Sequence, residues 1–189
     1  MKSKKKSMPK DKKDPSEFHI GDHVVYPAHG VGEIMGEEKQ LIAGQEISLY
    51  VISFKKDKMV LRVPVKRAKT SGLRQLSTKD LVRKAMETLK GRAKSTRGMW
   101  SRRAQEYEFK INSGDIVAIA EVVRDLHKNV EDPDRSYSER VIYESALERL
   151  AGEYAAVKNI EVKKASDEIT TILRTRIAEA QEALEMEDA

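Results

Sequence analysis

Between residues 17 and 70 apolar positions alternate with polar ones at a spacing of two; beyond residue 77 they recur every three or four. In "FHIGDHVVYP", Val24, Val25 and Tyr26 follow a Gly-Asp turn, and "HGVGEIMGEE" carries Val31, Ile34 and Met35 between glycines. "QEISLYVISF" puts Ile47, Leu49, Val51 and Ser53 on one face and Tyr50, Ile52 and Phe54 on the other. After the polar turn "KKDK", "MVLRVPV" sets Val60, Arg62 and Pro64 opposite Met59, Leu61 and Val63. Short strands punctuated by turn residues at this spacing predict a small β-barrel. Its core is thin, so packing against a neighbour would help it. Pro64 has no N–H and marks a sheet edge or strand end. An open edge is also a docking surface for another strand.

Helix formers then dominate, and Pro133 is the only proline after residue 77. Ser77, three residues before Asp80, predicts the cap of a first helix in "STKDLVRKAMETL". "WSRRAQEYEFKI" aligns Trp100, Ala104, Tyr107 and Ile111 on one helical face. Ser113 predicts the cap of a third helix striped by Ile116, Ile119, Ala120 and Val123. Ser136 and Glu139 have capping-box spacing ahead of Tyr143, Leu147, Leu150 and Tyr154. A last helix from about Asn159 carries Ile169, Leu173, Ile177, Ala180 and Leu184; past Arg176 all its charges are negative, predicting a frayed, acidic end. Five helices of this length predict a small all-α bundle. The chain therefore reads as α+β in two domains: a disordered basic tail over 1–16, a β domain over 17–72, a helical domain over 77–160 and a C-terminal helix over 161–189.

Composition narrows the chemistry. With 35% charged and 5% aromatic residues among 189, the cores are aliphatic and the surface ionised, and a net charge of +5 favours polyanions. Without cysteine there are no disulfides or thiolate metal sites, which fits a reducing compartment. No apolar run approaches the roughly 20 residues a bilayer span needs, so a cytoplasmic protein with no membrane partner is expected. His19, His23, His29 and His127 lack metal-ligand spacing. The Gly-x-Gly of "HGVGEIMG" has its third glycine misplaced and no βαβ setting, and reads as turns. No catalytic constellation, phosphate-binding Walker loop or cofactor signature emerges. A binding protein is expected, not an enzyme.

The single tryptophan stands in the most uniformly basic stretch outside the tail. From Arg92 to Gln105 there are five arginines and lysines, among them Lys94, Arg97, Arg102 and Arg103, and no carboxylate. Two readings compete. The stripe with Tyr107 and Ile111 makes Trp100 core, with Arg102 and Arg103 solvated and in reach of Glu106. Alternatively the cations neutralise phosphates and the ring wedges into a distorted base step or stacks on an unpaired base.

Taken together, "GDHVVYPAHGVGEI", "YVISF…MVLRVPV", "WSRR", "SGD" and "IAEVVRDL" resemble the CarD/CdnL transcription regulators of bacteria over roughly residues 17–160. The first domain is also similar to the polymerase-interacting module of transcription-repair coupling factor. The resemblance implies a Tudor-like barrel, related to SH3 barrels, that binds the RNA polymerase β subunit. It also implies a helical domain on promoter DNA at the upstream edge of the bubble, and localisation with polymerase at the nucleoid. Trp100 matches the family's minor-groove wedge and Arg102 a basic neighbour on DNA; Arg140 falls at another DNA-facing basic position. Arg62, before Val63 and Pro64, matches a barrel residue used against polymerase. Gln40 stands where some members carry an arginine for that contact, and Gln105 where some carry a DNA-contacting lysine. The resemblance favours the exposed reading of Trp100. The expectation is a monomeric initiation regulator that stabilises the open complex. The alternatives are a protein adaptor on polymerase without DNA contact, and an RNA-binding protein.

Overall fold

Alternation becomes an antiparallel sheet. In the computed structural model, which describes residues 18–94, 97–127 and 133–187, its strands are β1 (His23–Tyr26), β2 (Gly30–Ile42), β3 (Gln45–Phe54), β4 (Met59–Pro64) and β5 (Arg74–Gln75). The basic tail read over 1–16 lies outside the described residues. The strand order is β4-β3-β2-β1-β5, with Tyr50 opposite Val63 and Val51 opposite Arg62. The β2–β3 turn is two residues, Ala43 and Gly44, both at positive φ, the geometry a tight hairpin needs. Arg74 and Gln75 pair with Val25 and Val24, so the sheet reaches beyond the 17–72 span read from the strand pattern.

Phe18, Val24, Ile34, Tyr50, Ile52, Phe54, Val63 and Leu73 form the β core. Fully burying a side chain such as Phe54 contributes about 1.5–3 kcal/mol, and a sheet this small depends on a few of them. Alternation along β2 puts Ile34 in the core and Met35 outward, and the pairing with β3 shifts by one residue between Ile34 and Gly36. The two glycines before it differ. Gly30 has φ of 79° in the turn, as expected. Gly32 lies within β2, where an added Cβ would meet Ile52 and Phe54 at 2.8 Å; it is there for close packing and not for a turn.

Five helices follow: α1 (Lys79–Lys90), α2 (Trp100–Asn112), α3 (Ile116–Leu126), α4 (Tyr137–Lys158) and α5 (Val162–Glu187). The observed caps correct two of the expected ones. Thr78, not Ser77, accepts from Leu81 N–H at the start of α1, and Asp115, not Ser113, accepts from Val117 N–H at the start of α3. Ser136 caps α4 through Glu139 N–H, as its spacing predicts. Asn159 ends α4 in the left-handed conformation and does not begin α5. The stripes of α3 and α4 meet Val82, Ala85 and Leu89 of α1 and Ala165, Ile169 and Leu173 of α5 in one core. The helix continues to Glu187 in the structure, but Ala180 and Leu184 of its stripe are exposed. No helix among the described residues is long and apolar enough to cross a membrane.

An ionic joint ties the sheet to the bundle. Glu153 of α4, 2% exposed, accepts from Arg74 Nη1 and Nη2 at 2.7 and 2.8 Å and from Ser77 N–H at 2.9 Å. Arg74 Nε also donates to Gly114 O at 2.9 Å. One turn earlier on α4, Arg149 donates to the carbonyls of Pro27 and Ala28, and Glu148 pairs with Lys56.

Candidate nucleic-acid interface

Trp100 is the first residue of α2, and its N-cap, Met99, makes no side-chain cap. The Arg102 and Arg103 N–H groups both donate to Met99 O at 3.2 Å. The indole is half-buried against the helical core, 6.4 Å from the Tyr107 ring at 45°. Its Nε1–H donates to Ser138 Oγ at 2.8 Å, and the Arg103 guanidinium lies 5.5 Å above the ring. Neither sequence reading holds whole. The stripe is real, with Tyr107 and Ile111 buried, but Trp100 sits at its rim and keeps part of its surface in solvent.

The bond to Ser138 brings the starts of α2 and α4 together. Ser138 Oγ is 3.3 Å from Ser136 Oγ, which caps α4. Arg140, exposed, is one turn inside that helix. Arg102 is 84% exposed and only loosely paired, with Nε 3.7 Å from Glu106. Arg97 and Lys94 are exposed in the preceding loop, where Lys94 N–H donates to Asp125 Oδ1 at 2.9 Å. The structure thus gathers Trp100, Arg102, Arg103 and Arg140 around two helix starts, with Arg97 on the approach. Sequence reasoning missed Ser138, Tyr137 and Met99. Tyr137 and Met99 are 81% and 77% exposed beside the tryptophan contact, Met99 as the N-cap of α2 and Tyr137 as the first residue of α4.

Behind α4 lies a support. His127, read as an isolated histidine, is buried, its Nδ1 2.7 Å from Tyr143 Oη. Burial, aided by Arg176, Arg135 and Arg174, pushes its pKa down to about 4, so the ring is neutral at pH 7. Arg135 stacks 4.5 Å over Tyr143 and donates to Leu126 O at 2.8 Å. These contacts fix the entry of α4. Among the described residues, no three of His, Asp and Glu converge as a metal site.

The second group of expected residues lies on the sheet. β4 is an edge strand. Arg62 Nε donates to Glu38 Oε2 at 2.9 Å, and hydrogen bonds from Arg62 and Gln40 draw the Glu38 carboxyl below its ordinary pKa. Arg62 and Gln40, far apart in sequence, are therefore bridged by Glu38 across β2, β3 and β4. The Val63 side chain is buried in the β core, so at this edge strand its backbone is the part a partner can reach. Pro64 is half-buried at the strand end.

Comparison with known proteins agrees with this division. Residues 18–77 match the family model described as the CarD-like/TRCF RID domain, and residues 84–170 match that of the CarD C-terminal domain. The chain is 29% identical over 147 residues to YdeB of Bacillus subtilis (strain 168), named as a candidate transcription factor; the match covers 78% of this chain and 96% of YdeB. It is also similar to the solution structure of the 72-residue N-terminal domain of Myxococcus xanthus CarD, at 29% identity and a TM-score of 0.28, covering 31% of this chain and 79% of that domain.

Proposed function

This chain belongs to the CarD/CdnL family of bacterial transcription regulators, and from that premise we propose that it docks on the RNA polymerase β subunit and stabilises the promoter open complex. Membership makes it a regulator acting through RNA polymerase, in a family that is non-enzymatic in general. The β4 edge with Arg62 is the docking surface. The starts of α2 and α4 meet DNA at the upstream edge of the bubble, with Trp100 as the wedge and Arg97, Arg102, Arg103 and Arg140 on phosphates.

One observation carries this reading: the only tryptophan of the chain sits half-exposed at a helix start, held by a second helix start and capped by the Arg103 guanidinium. Phosphate contacts supply attraction without sequence preference. Docking on polymerase supplies effective concentration, so the DNA contact itself can be weak. The ring helps only by favouring melted or kinked DNA over intact duplex. About 1.4 kcal/mol of such preference shifts the opening equilibrium tenfold.

The adaptor alternative draws on the other half of the tryptophan's environment. Its ring packs on Tyr107 and its N–H is used by Ser138, which suits a structural residue. Permanganate reactivity of thymines at the upstream bubble edge separates the two. The wedge reading expects the wild type to raise reactivity in polymerase–promoter complexes and Trp100→Ala, still docked, to leave it at the level of polymerase alone. An equal rise with both proteins would favour the adaptor.

A further inference from the structure

Beside the Trp100–Ser138 contact, the most exposed aromatic ring among the described residues is not Trp100. Tyr137 opens α4 and is 81% exposed, next in the chain to the Ser138 that holds the indole. On α4 it shares a face with Arg140 and Val141, three and four positions on, and Val141 is 45% exposed. Glu144, one turn further along the same face and exposed, ends the stripe with a charge that repels phosphate. Met99, 77% exposed, precedes Trp100 at the start of α2. Tyr137 is therefore one residue before the Ser138 that binds the indole and one helical turn from the cation of Arg140.

An exposed tyrosine is suited to a flat apolar partner with a polar rim, and Arg140 one turn on suits a partner that carries anionic groups such as phosphates. We infer that Tyr137 is a second base-contacting residue, stacking on a base of promoter DNA at the duplex–bubble junction while Trp100 holds the adjacent step. This rests on the DNA-contact reading above. Stacking uses the ring and not the hydroxyl, so phenylalanine should replace tyrosine and alanine should not.

The test uses full-length protein, RNA polymerase and a promoter carrying 2-aminopurine at the upstream junction. Wild type, Tyr137→Ala, Tyr137→Phe and Trp100→Ala are compared for probe quenching and open-complex lifetime. Tyr137→Ala is expected to relieve quenching and shorten the lifetime about fivefold or more, in line with the loss of one stacked base, and Tyr137→Phe to restore both. The emission of the single tryptophan in the free protein should be unchanged by Tyr137→Ala, which excludes an effect relayed through Trp100. If Tyr137→Ala behaves as wild type while Trp100→Ala is defective, the Tyr137 contact is overturned and the DNA reading stands. If neither substitution has an effect, both fall.

Discussion

At the scale of single residues, the environment of each side chain decides its role more than its type does. Arg102 is exposed and loosely paired, so it is free to meet phosphate. Replacing it with alanine should lower the slope of log affinity against log salt for polymerase-tethered DNA by about one phosphate contact; an unchanged slope would mean that it touches none. His127 is the opposite case. Its pKa falls from 6.5 to about 4 in the folded protein. The unfolded chain therefore takes up a proton first as pH drops. Stability is full above pH 6.5 and declines toward pH 4, by a few kcal/mol at most. Urea unfolding across this window should show the decline, and His127→Gln should flatten it; parallel profiles would contradict the assignment. The cations near Trp100 were legible in the sequence. Its half-burial was not, because it depends on Ser138, 38 positions away.

At the scale of elements, periodicity was sufficient for the strands and helices with long regular patterns and failed where geometry breaks the pattern. β5 is only two residues long, too short for alternation to reveal. Helix starts slipped by one or two positions at Thr78 and Asp115, since serine, threonine and aspartate all cap well and only the backbone path selects among neighbours. The edge strand β4 yields a prediction at this scale. Arg62→Glu should weaken binding to polymerase while leaving binding to free DNA unchanged; equal loss of both would refute the separation of the two surfaces. On α5, packing ends near Ile177, and Leu184 is 62% exposed. Truncation after Ala178 should change folding stability by less than about 1 kcal/mol, as for exposed surface elsewhere. A larger loss on thermal or urea melting would show that the acidic end packs after all.

At the scale of the whole molecule, the account needs the polymerase-facing edge and the DNA-facing helix starts to keep a fixed relation. The ionic joint supplies it. Glu153 is almost fully buried and held by both Arg74 nitrogens and Ser77 N–H, and Arg149 grips the β1–β2 turn from the same helix. Arg74 keeps 31% of its side chain exposed, so removing the Glu153 carboxylate costs about 1–3 kcal/mol, less than breaking a fully buried pair. Glu153→Gln should lower stability by roughly this order and raise hydrogen exchange at the Ser77 amide, which donates to the Glu153 carboxylate; unchanged exchange would mean that the domains are held by other contacts. None of this was legible in the sequence, where Arg74 and Glu153 are 79 positions apart and each reads as an ordinary surface charge. The central claim remains that Trp100 keeps promoter DNA open, and its most direct test is the lifetime of competitor-challenged open complexes with polymerase alone, with wild type and with Trp100→Ala, the variant first shown to fold and to dock. The account predicts that wild type prolongs the lifetime and that Trp100→Ala returns it to that of polymerase alone. Equal prolongation by both proteins would contradict it.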